Sequence, residues 1–161
     1  MAHVLLTGGL GYIGSHTAVE LLNNGHSVVL YDNLVNSKAS VLKKISTITE
    51  KDPIFYEGDI RDEARLLEVL KNHKIDLVIH FAGLKSVSES VLNPLEYYDN
   101  NVFGSLTLLK VLEKAGIRRV IFSSSASVYG DPLYTPIDES HPLNPTNPYA
   151  QTKKHIEEIM T

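Results

Sequence analysis

Short apolar runs alternate with helical patterns along the whole chain. Val4 to Leu6 is an apolar run that gives way at once to glycines, and Ile13 to Asn24 then carries a helical pattern that Gly25 can end. Ser27 to Tyr31 reads as a second strand finishing at Asp32. From Lys38 to Ile48, Val41, Leu42, Ile45 and Ile48 make one helical stripe; Pro53 breaks the chain, and Ile54 to Tyr56 is a short strand ended by Asp59-Ile60. Asp62 to Asn72 places Leu66, Leu67 and Leu70 on one helical face, and Asp76 to Phe81 is a nearly continuous apolar run, as expected of a strand buried on both faces. The longest helical pattern runs from about Pro94 to Ala115, with proline at its start and Gly116 as its stop. Its stripe is Leu95, Tyr98, Val102, Leu106, Leu109 and Leu112. Phe103, Leu108 and Val111 lie off that stripe, so the helix needs a second partner surface, either another subunit or the rest of a larger protein. Arg118 to Phe122 is the next strand and ends in three serines; the proline-rich stretch from Asp131 to Pro148 is a loop without secondary structure, of a length that is usually functional or mobile. This alternation predicts an α/β fold, a Rossmann-type doubly wound parallel sheet with right-handed crossovers.

At 161 residues the chain has room for one domain with a sizeable core and not for two full ones. Its net charge of −4 offers no basic footprint for nucleic acid, which points to a small-molecule ligand. Cysteine is absent, so disulfides, thiolate metal sites and thiol nucleophiles are excluded; the seven histidines form no metal-binding cluster, and no metal is expected. No signal pattern or membrane-spanning apolar stretch is present, and the expectation is a soluble, cytoplasmic protein with no membrane partner.

The chemistry begins at TGGLGYIGSH, Thr7 to His16. Gly9, Gly11 and Gly14 fit the general dinucleotide fingerprint, while Gly8, Gly11 and Gly14 fit the wider GxxGxxG form. Glycine permits backbone angles that a Cβ forbids, lets the chain approach a pyrophosphate, and opens a helix whose free N–H groups face the anion. Asp32 ends the second strand near the spacing expected of the acid that binds the adenosine ribose hydroxyls. No Arg or Lys follows it before Lys38, so an NADP 2′-phosphate would meet repulsion and no partner, and NAD is favoured.

The loop ends in NPYAQTKKHIEEIM, Asn147 to Met160, with Asn147 as N-cap and Pro148 at the first helical position. Tyr149 and Lys153, four apart, share one helical face with Ile156 and Met160, so that face points inward. A tyrosine titrates near 10 in water, and to serve as a base near neutrality it needs positive charge close by. Lys153, a nicotinamide ring of NAD⁺ and the helix N-terminus all act in that direction. Of the serines at 123 to 125, Ser125 lies furthest from the strand and is best placed to reach a substrate hydroxyl.

TGGLGYIGSH, DNLVNS (32 to 37), GDI (58 to 60), HFAGLK (80 to 85), PLEYYDNN (94 to 101), SSSASVYGD (123 to 131) and YAQTK (149 to 153) together resemble the UDP-glucose 4-epimerase family of the extended short-chain dehydrogenase/reductase superfamily. The resemblance implies NAD contacts from Gly8, Gly11, Tyr12, Ile13 and Gly14; from Asp32, Asn33, Leu34, Val35, Asn36 and Ser37; from Asp59 and Ile60; from Phe81, Ala82, Gly83, Leu84 and Lys85; and from Asn100. Ser125, Tyr149 and Lys153 would form the catalytic group and also face the cofactor. The sequence departs from the family at Leu10, Ser88, Ala150 and Thr152. The family is about twice as long, so the chain matches its NAD-binding half, residues 1–161, without the substrate domain.

What the resemblance implies is a redox-neutral cycle: oxidation of a UDP-hexose at C4, rotation of a transient 4-keto sugar, and return of the hydride to the other face. Tyr149, directly or through Ser125, would take the 4-OH proton. It also implies a UDP-sugar as ligand and a homodimer for the whole protein, and leaves these residues alone as a weak NAD binder without useful turnover. Two other readings stand beside it. A sugar-nucleotide dehydratase would share the first oxidation but carries Asp-Glu where this chain has Ala126-Ser127. An NAD-binding fragment or regulatory module would keep the fold and do no chemistry.

Overall fold

The computed structural model describes every residue from Met1 to Thr161, and the chain divides into two compact units. The first comprises residues 1–82 and 106–123, the second 83–105 and 124–161.

In the first unit β1 (His3–Thr7), β2 (Ser27–Asp32), β3 (Ile54–Glu57), β4 (Leu77–His80) and β5 (Val120–Phe122) form one parallel sheet in the order β3-β2-β1-β4-β5. This is a doubly wound α/β sheet of Rossmann type, as the alternation predicts. Pairing aligns Leu5 with Val29 and Val78, so their side chains share one face, while Val4 and Leu6 point to the other. On the first face Leu5, Val29, Tyr31 and Val78 pack with Leu66 and Val69 of α3 (Glu63–Asn72) and with Leu108, Val111 and Leu112. On the second, Val4, Leu6, Val28 and Leu30 pack with Ala18 and Leu22 of α1 (Tyr12–Asn23) and Ile45 of α2 (Ser40–Thr49). Asp62 proves to be the N-cap of α3, its carboxylate accepting from Arg65 N–H, rather than its first residue. Gly25, at φ +82°, follows α1 where a stop was expected.

The second unit contains α4 (Val87–Leu92), α5 (Pro94–Tyr97), a π-helical turn (Tyr98–Phe103), the first two residues of α6 (Gly104–Lys114), a 3₁₀ turn (Ala126–Tyr129) and α7 (Pro148–Met160). Residues 130 to 147 have no helix or strand, as expected. Two elements escape the sequence reading: α4, capped by Ser86, and the 3₁₀ turn, capped by Ser125. Neither is long enough to show a period.

The long helical pattern is corrected more deeply. It is three segments, and of the expected stripe only Leu112 is fully buried: Leu95 is 84% exposed and Tyr98, Val102, Leu106 and Leu109 are half-buried, while Tyr97, Asn101, Gly104 and Ser105 are buried in the second unit and Leu108 and Val111, both off the stripe, in the first. The π turn takes more residues per turn than an α-helix, so spacing counted from Leu95 falls out of phase. The inward positions before Leu108 are also largely polar, invisible to a search for apolar repeats. Ser105 donates to the Asn101 carbonyl, satisfying itself within the helix.

Candidate functional site

The glycine turn is hooked onto β2: Gly8 N–H donates to Tyr31 O at 2.8 Å, and Gly11 N–H donates to Gly8 O at 3.1 Å. Gly8 sits at φ +67°, and a Cβ on it would come within 2.7 Å of Ala82 N. A Cβ on Gly14 would run into Gly8 O. Gly11 opens α1 without a side chain to cap it, so the first-turn N–H groups at Tyr12, Ile13 and Gly14 are left for a ligand anion. Tyr12 and Ile13 are exposed beside this turn.

Asp32 does more than end its strand. It is buried, with Oδ2 accepting from Leu10 N–H at 3.0 Å and Oδ1 accepting from Leu34 N–H at 2.9 Å and from the Ser37 hydroxyl at 2.7 Å. One carboxylate thus joins the glycine turn to the 33–37 loop and holds Leu34 in its left-handed conformation, φ +62°. Asn33 donates to Asp59 Oδ2 and accepts from Val35 N–H, while Asn36 and Ser37 continue the loop. The Arg61 guanidinium bonded to Asp59 holds that carboxyl down to about 2. Tyr31 donates its phenol to Asp59 O, and Ile60 is buried behind this corner. At the end of β4, Phe81 N–H donates to Thr7 O and Ala82 N–H to Thr7 Oγ1, which also meets His80 Nδ1 at 2.6 Å. A bare glycine cradle, an uncapped helix start and a carboxylate at the end of the next strand suit the pyrophosphate and ribose of a dinucleotide.

The remaining candidates lie in the second unit. Asn101, missed by the sequence reading, accepts from Leu84 N–H at 2.8 Å and donates to Leu84 O at 3.0 Å and to Thr152 Oγ1 at 3.2 Å. Thr152 donates to Tyr149 O at 2.7 Å. The 83–85 segment is thereby tied to the first turns of α7. Gly83 and the buried Leu84 precede an exposed Lys85, and Asn100 is buried beside Asn101 in sequence. The only signal for Asn101 was a polar pair inside an otherwise helical run.

Asn147 caps α7, its side chain accepting from Ala150 N–H at 2.8 Å, with Pro148 in the first turn as expected. Ala150, Thr152, Lys153 and Ile156 form the buried face, and Tyr149 is half-buried. Lys153 is 5% exposed, with Nζ 6.0 Å from the Tyr149 ring centre. Burial lowers its ammonium to about 8, so an anion beside it, such as a phenolate, would be welcome. The serine segment is fastened to the same helix, because Ser124 donates to Glu157. Ser125 Oγ accepts from Ser127 N–H at 3.2 Å and lies 2.8 Å from Ser127 Oγ. Ser125, Tyr149 and Lys153 are thus held in one unit by α7 and the turn packed on it.

A parallel sheet with a bare glycine turn and an acid ending the next strand is the arrangement of a dinucleotide-binding α/β protein, and the second unit carries Tyr149, Lys153 and Ser125. Residues 4–161 match the model of the NAD dependent epimerase/dehydratase family, and the chain belongs to that family. It is 52% identical over 157 residues to the UDP-glucose 4-epimerase of Bacillus subtilis, covering 98% of this chain and 46% of that protein. The corresponding protein of Neisseria meningitidis serogroup A is 51% identical over 162 residues, covering 100% and 48%. Among solved structures, UDP-glucose 4-epimerase from Bifidobacterium longum in complex with NAD⁺ and UDP superposes with a TM-score of 0.97 at 50% identity, covering 98% of this chain and 48% of that one. The chain therefore spans about half the length of the relatives it matches. No helix is long and apolar enough to cross a membrane.

Proposed function

We propose that the protein binds NAD and epimerises a UDP-hexose at C4, interconverting UDP-glucose and UDP-galactose through a transient 4-keto sugar. The observation that carries this reading is α7, which holds the half-buried Tyr149 one turn before the buried Lys153 and is bonded through Glu157 to Ser124, the neighbour of Ser125.

Bound NAD would supply the hydride acceptor for sugar C4 and the donor for its return. The Gly8–Gly14 turn and the start of α1 would hold its pyrophosphate, and Asp32 its ribose, with Asn33 to Ser37, Asp59, Ile60, Phe81 and Ala82 of the same unit completing the contacts. Tyr149 accepts the 4-OH proton as the hydride leaves and returns it when the hydride comes back. The Lys153 ammonium stabilises the phenolate form of Tyr149, and Ser125 hydrogen-bonds the sugar oxygen. No net oxidation results, which suits a cofactor kept through turnover.

The dehydratase alternative lacks support at Ala126-Ser127, where neither side chain can serve as the acid or base for loss of water. We expect a homodimer in a cytoplasmic setting. Val91, Leu92, Leu95 and Phe103 are exposed apolar side chains for another surface to cover.

The test uses the product of the complete reading frame and UDP-galactose deuterated at C4. The expected result is UDP-glucose that keeps the deuterium at C4, with the N-acetylated sugar assayed in parallel for specificity. Loss of the label to water, or no interconversion of either pair, would reject the reading.

A further inference from the structure

Ser125 Oγ has two acceptor positions and one proton. The Ser127 N–H fills one acceptor position at 3.2 Å, and the Ser127 hydroxyl lies 2.8 Å away, with either oxygen able to donate by geometry. The chemistry proposed above removes that ambiguity. A 4-keto oxygen can only accept hydrogen bonds, so a Ser125 that meets it must spend its single proton there. The 2.8 Å contact is then a hydrogen bond only if Ser127 donates.

We infer that Ser127 is a positioning residue whose hydroxyl donates to Ser125 Oγ, fills its second lone pair, and presents Ser125 to the substrate oxygen as a donor only. The inference rests on the epimerase reading. Its consequence is a choice between two proton routes. With both lone pairs occupied Ser125 has no place to receive the sugar 4-OH proton, so that proton passes directly from O4 to the Tyr149 phenolate oxygen as the hydride leaves C4. One proton is in flight, and Ser125 keeps its own.

The local structure supports the assignment. Ser125 is the cap of the Ala126–Tyr129 turn and already acts as an acceptor for that turn. Both serines are half-buried, so neither hydroxyl is freely solvated. Ser124 donates to Glu157, and the Ser127 hydroxyl is in contact with Ser125 Oγ.

Two measurements on the product of the complete reading frame test this. The first is neutron diffraction of the deuterium-exchanged protein with NAD⁺ and a UDP-4-keto-hexose, whose O4 can only accept. The Ser127 deuterium is expected on the line to Ser125 Oγ, and a Ser125 deuterium on that line would overturn the inference. This readout needs no turnover, so it decides the hydrogen-bond direction even if the protein proves not to be an epimerase. The second is a double-mutant cycle on kcat. Ser127→Ala is expected to lose about tenfold, the worth of one hydrogen bond, with KM unchanged and Ser127→Thr restoring the rate. In the Ser125→Ala background the same loss of hydroxyl should change kcat less than about twofold. A full tenfold loss there, or a Thr variant no better than Ala, would show that Ser127 acts by another route. Proton inventories on wild type and Ser127→Thr should be linear in deuterium fraction; curvature indicating two protons in flight would restore Ser125 as a relay.

Discussion

Lys153 is where burial and charge conflict most directly. Its ammonium is nearly enclosed and lowered to about 8, whereas the unfolded chain holds its proton up to about 10.5. Between those values the unfolded state binds more protons than the folded one, so this group makes folding stability rise with pH across that window and fall as pH drops through 8. Below 8 the cost of the buried charge is fully present, about 3 kcal/mol by the width of the window. Lys153→Met should therefore stabilise the cofactor-free protein at pH 7, and its advantage should shrink by about that amount on going to pH 10.5. Paired denaturant titrations at the two pH values check this, and a pH-independent difference would mean that the ammonium is not paying a desolvation cost. A phenolate beside Lys153 would offset that cost, which is how a residue that weakens the fold can serve a reaction. Asp32 shows the opposite economy, because the acid read as a ribose acceptor is also the knot between the glycine turn and the 33–37 loop.

At the level of elements, the glycine turn depends on backbone clearance. The Cβ introduced by Gly14→Ala would meet Gly8 O and the neighbouring backbone, none of which can rotate away. We expect this change to lower stability by about 1–3 kcal/mol, as overpacking does, and to abolish measurable NAD binding. Thermal melts and cofactor titration check both, and unaltered affinity would show that the turn does not cradle the pyrophosphate. The same element was fully legible in the sequence, because a strand, a glycine triad and an amphipathic helix each leave a local signature. So were β1 to β5 and the cap and proline of α7. In the stretch from Val87 to Ser105 the helical course from Pro94 was legible, but α4 and the buried face were not. There the buried positions are filled by Tyr97, Asn101 and Ser105, which satisfy their polar groups through partners distant in sequence or along the backbone. Apolar periodicity cannot find a face built from hydrogen bonds, and the π turn shifts its phase. Ser127 was similarly hidden: it was read only as a departure from a dehydratase pattern, while its contact with Ser125 depends on the fold of a turn too short to predict.

For the molecule as a whole, family membership, the parallel sheet order and two groups of candidate residues converge on one reading. One group, around Gly8 to Gly14 and Asp32, is suited to hold a dinucleotide. The other, around Tyr149, Lys153 and Ser125, is suited to move a proton. The chain spans about half the length of its relatives, so residues 1–161 alone are expected to bind NAD weakly and not to turn over sugar nucleotides at a useful rate. The central claim is that Tyr149 is the base of a UDP-hexose 4-epimerase. The most direct measurement compares wild type with Tyr149→Phe in the product of the complete reading frame, following UDP-galactose conversion and, separately, NAD affinity. The account predicts that turnover falls by at least about a hundredfold, the contribution of a positioned acid–base group, while NAD binding is little changed. Turnover within about tenfold of wild type would contradict it.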